Sequence, residues 1–478
     1  MHATNRYQAL ADALSARIRK GILQPGDRLP SVRQLCELHT ASPATVTHAL
    51  HLLEDAGLIE ARPRLGFFVR SALRQFAQPE QCAEPGLPQP IALAGHRKLV
   101  IEFAHQCGQT PLGMSALDDG LAPTQALRKL LVQALQRDEQ ILLRASYEGD
   151  APLREQIARR SLLLGCDFHP DEIVLTHGDT EALDLCLRVL TRPGDVVAIA
   201  TPGPLRTLEM LEGHGLQVLE IPAHPCNGLS LDALDFALRH NRVAACIVNV
   251  NFPSPTGSLL SDADKARLAE LAQRLGVPLI EVDTFGELAH NGQRPKPVKA
   301  WDRHDNILYC SDFSAVISPG FNVGYIAAGR QRLTLAASRT VHGEPIPALI
   351  QHALSGMLAS GQFERSLRRL RSQLAANMQA YRRAVYAHFP PGTRVACGEG
   401  GFLLWLELPR ELDATELQRR ARCQGQSFAP GALFSLGSSF NNCLRLNAGF
   451  ALTAQIEEGL RLIGRLAYSL LDELAETT

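Results

Sequence analysis

The stretch YCSDFSAVISPGFNVGY, Tyr309 to Tyr325, decides how this chain is read. Ser311, Phe313 and Ser314 precede Ala315, Pro319-Gly320 punctuates the middle as a turn, Asn322 follows, and Gly324-Tyr325 closes the segment. Upstream of it, short apolar runs alternate with helical patterns. Ile173 to Leu175 precedes a Gly turn and a helix from Thr180. Asp195 to Ile199 precedes a helix around Leu205 to Gly213, and runs at Val218–Ile221, Ala244–Val250 and Pro278–Val282 follow. Buried runs separated by helices imply a mostly parallel sheet covered on both faces. Such sheets bind ligands at the carboxyl ends of their strands.

With 478 residues the chain exceeds what one core holds, so more than one domain is expected. Its 48 Lys and Arg nearly cancel 49 Asp and Glu, which leaves no global charge to argue a partner from. The N-terminal seventy residues are different: Arg6, Arg17, Arg19, Lys20, Arg28, Arg33, Arg62, Arg64 and Arg70 outnumber Asp12, Asp27, Glu37, Glu54, Asp55 and Glu60. No charge-free apolar run reaches the ~18 residues of a membrane span, and no signal-peptide core is present, so a cytoplasmic protein without a membrane partner is expected. Eleven scattered cysteines lack any C-x-x-C spacing, which argues against a disulfide framework or a metal site.

Tyr7, Leu10, Ala11, Leu14 and Ile18 recur at helical spacing, predicting a helix over 5–20. Ser31 is a good N-cap for a helix from Val32 to His39. Ser42 caps a third, with Pro43 in its first turn, where a missing N–H costs nothing. Val46, Ala49, Leu50 and Leu53 give that helix its core face, and Leu58–Arg62 with Gly66–Val69 make a basic hairpin. Three small helices followed by such a hairpin form a winged helix-turn-helix, whose third helix enters the major groove. Ser42, Thr45, Thr47 and His48 are then placed toward base edges. Arg33, Arg62 and Arg64 are placed toward phosphates, and the wing glycine Gly66 is counted with the DNA-binding residues. This domain is assigned to residues 1–71. Residues 72–98, rich in Pro, Gly, Gln and Glu, read as a semi-extended tether, whose short apolar piece Ile91-Ala92-Leu93 can dock on the large domain. The α/β domain is assigned to 99–478, with a small subdomain over about 375–478.

The run GDRLPSVRQLCELHTASPATVTHALHLLEDAGLIEARPRLGFFV resembles the DNA-binding domain of the GntR family. Pro43 stands where many relatives carry arginine. The stretch from Tyr309 resembles the cofactor-lysine segment of fold-type-I aminotransferases, S-x-S-K followed by P-G-x-R-x-G-Y. The turn Thr176 to Leu183, Pro193-Gly194-Asp195, Pro255-Thr256-Gly257, Gly400 to Trp405 and Leu444 to Asn447 follow that family in order. The two together resemble the MocR subfamily of transcription regulators. The implied fold is a winged helix-turn-helix (α+β) followed by an α/β fold-type-I aminotransferase-like domain.

The resemblance implies pyridoxal phosphate (PLP) chemistry, but the positions that serve it are altered. Ala315 stands at the imine-forming lysine and Asn322 at the phosphate arginine. Val282 stands at the aspartate that pairs with the pyridine nitrogen, Ser254 at the asparagine beside the ring hydroxyl, and Pro204 at the stacking aromatic. Lys296 and Lys299 are the nearby substitutes among only six lysines, and both read as loop residues. No PLP cofactor, no metal and no catalytic residue are therefore expected. Gly178, Asp179 and Thr180 could still form an anion nest at a helix start. Arg445 falls on the family's carboxylate-binding arginine, or is a structural ion-pair member. Asn251 flanks the ring site. A non-enzymatic, homodimeric regulator of double-stranded DNA follows, with a carboxylate-bearing effector. The competing expectations are an active PLP-dependent aminotransferase with a DNA-binding head, and a dimerisation scaffold that binds no ligand.

Overall fold

The computed structural model describes residues 6–19, 23, 27–39, 41–55, 59–62, 66–69, 77–91, 93, 110–396 and 398–477. They divide into two compact units, Met1–Phe76 and Ala77–Thr478.

In the first unit the three expected helices are α1 (Arg6–Arg19), α2 (Val32–His39) and α3 (Pro43–Asp55). Strands β1 (Ile59–Arg62) and β2 (Gly66–Val69) pair antiparallel, Ile59 opposite Val69 and Arg62 opposite Gly66. Gly66 has φ +101°, a value that a side chain would strain. Leu10, Leu14, Leu35, Val46, Leu50 and Ile59 close one small core. The cap of α3 is built as its sequence requires: Thr45 N donates to Ser42 Oγ at 3.2 Å.

The second unit carries a nine-stranded sheet and a four-stranded one. Strands β3 (Gln89–Pro90), β4 (Ile173–Thr176), β5 (Val196–Thr201), β6 (Gln217–His224), β7 (Gly228–Leu229), β8 (Val243–Val248), β9 (Leu279–Val282), β10 (Ile307–Asp312) and β11 (Gly324–Ala327) build the large sheet. Its order is β3-β6-β5-β8-β9-β10-β11-β4, with β7 on β6. The central pairs β6–β5, β5–β8, β8–β9 and β9–β10 are parallel. Apolar clusters fill both faces, as parallel strands buried on two sides require. Strands β12 (Arg394–Val395), β13 (Leu403–Glu407), β14 (Ala429–Pro430) and β15 (Cys443–Asn447) form the smaller sheet in the order β12-β13-β15-β14. Among the described residues, no helix is long and apolar enough to cross a membrane.

The tether expected over 72–98 is corrected by the structure. Residues 77–91 and 93 belong to the second unit. Glu80 N and Gln81 N both donate to Glu407 Oε2, at 2.8 and 3.1 Å. Gln89 pairs with Val218 at the sheet edge, and Leu93 is fully buried in the core. Backbone bonding and one anchored leucine outweigh the extended tendency of a Pro-rich segment.

Candidate functional site

The stretch from Tyr309 folds as β10, a tight loop and β11. Phe313 N donates to Val323 O at 3.0 Å, and Ile317 N donates to Phe313 O at 2.9 Å. Ala315 lies half-buried in that loop. Gly324 meets Gly178 so closely that an added Cβ would lie 2.5 Å from the Gly178 carbonyl carbon. This contact brings the loop against the helix Gly178–Leu190, and Asn322 packs on Gly178 from the same side.

At the carboxyl ends of β5, β8 and β9 lies a cavity of about 60 Å³, lined by Ile199, Pro202, Pro204, Asn249, Ser254 and Val282, among others. Pro204, Ser254 and Val282 thus share one wall. Asn249 Oδ1 is buried there without a hydrogen-bond partner.

Asp283, the next residue after Val282, turns the other way, as alternation along a strand dictates. Its side chain is 1 % exposed, and its Oδ2 accepts from Arg294 Nη2 at 2.8 Å, Tyr309 Oη at 3.0 Å and Asn251 Nδ2 at 3.3 Å. Asn251 is thereby tied into this network instead of lining the cavity. Arg294 Nε also donates to Glu287 Oε1 at 3.0 Å, and Arg160 Nη2 donates to the same oxygen at 2.8 Å. Arg371 Nη2 reaches Glu287 Oε2 at 3.2 Å. Burial alone would raise the Glu287 carboxyl. The guanidiniums of Arg294 and Arg160 outweigh it and hold the group at about 2. Glu281, buried beside Asp283, is pushed the other way to about 8.

The start of the helix Gly178–Leu190 forms a polar cup with the loop after β10. Asp179 Oδ2 accepts from Thr284 Oγ1 at 2.8 Å, and Asp179 Oδ1 accepts from Thr180 Oγ1 at 3.3 Å. Arg206 Nη1 donates to Thr180 Oγ1 at 2.8 Å. Ser314 Oγ donates to Asp312 Oδ2. Asp312 is 6 % exposed, and its Oδ1 is buried without a hydrogen-bond partner. Desolvation, with Asp179 close by, pushes the Asp312 carboxyl up to about 7. Asp179 and Thr180 sit at the helix start with a second carboxylate, Asp312, close to Asp179. Counting back from Ala315 puts Asp312, and not Ser311, at the first serine of the S-x-S-K pattern. That count was the signal that would have disclosed it. Thr284 and Arg206 had no such signal.

Arg445 is 5 % exposed. Its Nη2 donates to Gly113 O at 2.9 Å and Met114 O at 3.4 Å, and its guanidinium lies 5.4 Å from the centre of the Phe434 ring. The geometry ties part of its fork to backbone carbonyls. Lys299 Nζ donates to Asp302 Oδ2 at 2.8 Å and Ile307 O at 2.9 Å, and Lys296 Nζ lies 5.8 Å from the Trp301 ring centre.

In the first unit, Arg33, Ser42 and His48 are exposed, and Thr45 and Thr47 are half-buried. Thr45 Oγ1 pairs with Ser42 Oγ at 2.8 Å, so both hydroxyls serve the cap of α3 as well as its outer face. The His48 ring meets Tyr7 edge-on at 4.3 Å. Arg62 lies in β1, Gly66 opens β2, and Arg64 lies outside the described residues.

Residues 6–69 match the family of bacterial regulatory proteins, gntR family, and residues 109–463 match aminotransferase class I and II. Over its whole length the chain is similar to two proteins of Escherichia coli (strain K12). They carry the names Uncharacterized HTH-type transcriptional regulator YdcR and YjiR. YdcR is 35% identical over 96% of this chain and 98% of its own length, and YjiR 33% over 97% and 99%. Among solved structures, LysN, an α-aminoadipate aminotransferase of Thermus thermophilus, is 28% identical with a TM-score of 0.71, covering 80% of this chain and 96% of its own. A GntR domain joined to a fold-type-I aminotransferase domain, with full-length similarity to HTH-type regulators, places the chain among the GntR-type transcription regulators of MocR architecture.

Proposed function

We propose that this regulator acts as a homodimer on double-stranded DNA, and that its aminotransferase-like domain senses a small metabolite without covalent PLP and without catalysing a reaction. The observation that carries this reading is Ala315, an apolar side chain at the place of the imine-forming amine, in a chain with only six lysines. The two nearest lysines are occupied elsewhere, Lys299 on Asp302 and Lys296 beside Trp301. The residues around the old ring position fit PLP poorly in three further ways. Val282 puts no carboxylate toward a pyridine nitrogen, while Asp283 is spent on Arg294, Tyr309 and Asn251. The carboxylates of Asp179 and Asp312 stand where a phosphate would need donors. The cavity of about 60 Å³ has room for a few waters by the measure of roughly 10–15 Å³ each.

On DNA, the two winged helices of a dimer would read two half-sites through α3, with phosphates met by Arg33 and the wing. A shift in the population of head arrangements on effector binding would connect the domain to DNA affinity. The test is fluorescence anisotropy of the full chain on the DNA upstream of its own gene, across a salt series and with or without added PLP. Salt-sensitive binding that PLP leaves unchanged is expected. Salt-independent or absent binding would sink the regulator mechanism, and a PLP-dependent change would sink the PLP-free part.

The same assay checks one contact. Arg33→Ala is expected to weaken binding to specific and unrelated DNA alike, and to reduce the slope of log affinity against log salt by about one.

A further inference from the structure

Resting on the reading of this domain as a PLP-free sensor, we propose that the cup formed by Asp179, Thr180, Thr284, Asp312 and Ser314 binds the ammonium group of a small primary amine, where the fold ordinarily presents an anion site.

The argument is one of donors and acceptors. A phosphate or carboxylate needs N–H and O–H groups pointing at it. Here the hydroxyl protons are already spent: Thr284 and Thr180 donate to Asp179, and Ser314 donates to Asp312. At the helix start, His177 N donates to Glu181. Apart from Arg206 on the rim, what the side chains of the cup have left to offer is oxygen lone pairs. The deepest of them is Asp312 Oδ1, on a side chain 94 % buried by its 6 % exposure and lacking any hydrogen-bond partner. A buried unpaired acceptor destabilises the site, and an entering N–H donor would relieve that.

The rim already holds a cation of the chain's own. Arg206 is exposed and reaches in to Thr180. Asp179, Thr180, Thr284 and Ser314 are half-buried, so each keeps part of its surface in contact with solvent. An ammonium with three N–H groups fits two carboxylates and lone pairs of this kind. A metal ion fits less well, since no group of three or more His, Cys, Asp or Glu that could hold one is found among the described residues. Next to the cup, Val282 and Pro204 line the cavity two residues before Thr284 and Arg206, so an apolar stem on the amine has somewhere to lie.

The experiment is isothermal titration calorimetry of the full-length chain with n-butylammonium chloride, n-butanol and inorganic phosphate. Saturable binding of butylammonium is expected, with none for butanol or phosphate. Asp312→Asn and Asp179→Asn, each nearly isosteric, should each weaken amine binding by about tenfold. The melting temperature of each variant is taken first, and if one is unfolded the other decides. Phosphate binding in preference to the amine, no butylammonium binding, or amine affinity unchanged in the folded variants would each overturn the assignment. Imine formation with PLP, scored separately, would instead overturn the PLP-free reading. A chain that binds neither PLP nor amine loses only the amine assignment.

Discussion

Arg294→Ala is expected to lower the stability of the aminotransferase-like unit by about 3–5 kcal/mol. Arg294 is 8 % exposed and holds two carboxylates at once, Asp283 at 2.8 Å and Glu287 at 3.0 Å. Truncation leaves Asp283 buried with only the Tyr309 hydroxyl, the Asn251 amide and the Gly286 N–H as donors. Those groups carry no positive charge to offset its desolvation. Glu287 fares better, since Arg160 and Arg371 remain on it. The cost should therefore come mainly through Asp283. The double variant Asp283→Asn with Arg294→Met removes both charges and keeps the volume, so it should recover most of the loss. Urea denaturation followed by near-ultraviolet circular dichroism measures both, and adding the single variants Asp283→Asn and Arg294→Met completes a double-mutant cycle that isolates the pair. Equal losses in the single and double variants would mean that packing, and not charge pairing, sets the contribution of Arg294.

The second large effect is with pH. Glu287 sits at about 2 in the folded chain against an ordinary 4.5. The unfolded chain thus binds a proton before the folded one does. The stability that Glu287 contributes is whole above about pH 4.5 and is lost as pH falls toward 2, a change of roughly 3 kcal/mol. Glu281, raised to about 8, has the opposite sign, costing stability as pH rises from about 4.5 through 8. Below pH 4.5 Glu281 is protonated in both states, so the acid window reports on Glu287 without interference from it. Urea midpoints between pH 5 and pH 2 should fall more steeply in the wild type than in Glu287→Gln. Parallel slopes would contradict the assignment.

Much of the architecture was legible because it rests on local signals. The caps Ser42 and Ser31, the stripe through Val46, Ala49, Leu50 and Leu53, and the wing glycine Gly66 each act within a few residues of themselves. Those elements appear where the pattern put them. Runs such as Val196–Thr201 and Val243–Val248 are apolar on both faces, which marks parallel strands without knowledge of their neighbours. The segment 77–93 was less legible. Proline and glycine conceal an edge strand only two residues long, whereas the apolar piece Ile91-Ala92-Leu93 is a local signal for the docking that buries Leu93. The ionic network was not legible at all, since Arg160 and Glu287 lie 127 positions apart and only the packing brings them together. Asp312 sits between these cases. Its position in the serine pattern was readable, but its meaning depends on Asp179 facing it across the cup.

The Ala315 loop is where the resemblance to the aminotransferases would place an imine-forming lysine, and our proposal is that no amine serves there. The most direct test incubates the full-length chain with excess PLP, reduces it with borohydride, and determines its intact mass alongside the visible absorption spectrum. The account predicts no imine band and an unmodified mass. A stoichiometric phosphopyridoxyl adduct on one lysine, with an imine band abolished by changing that lysine to alanine, would contradict it.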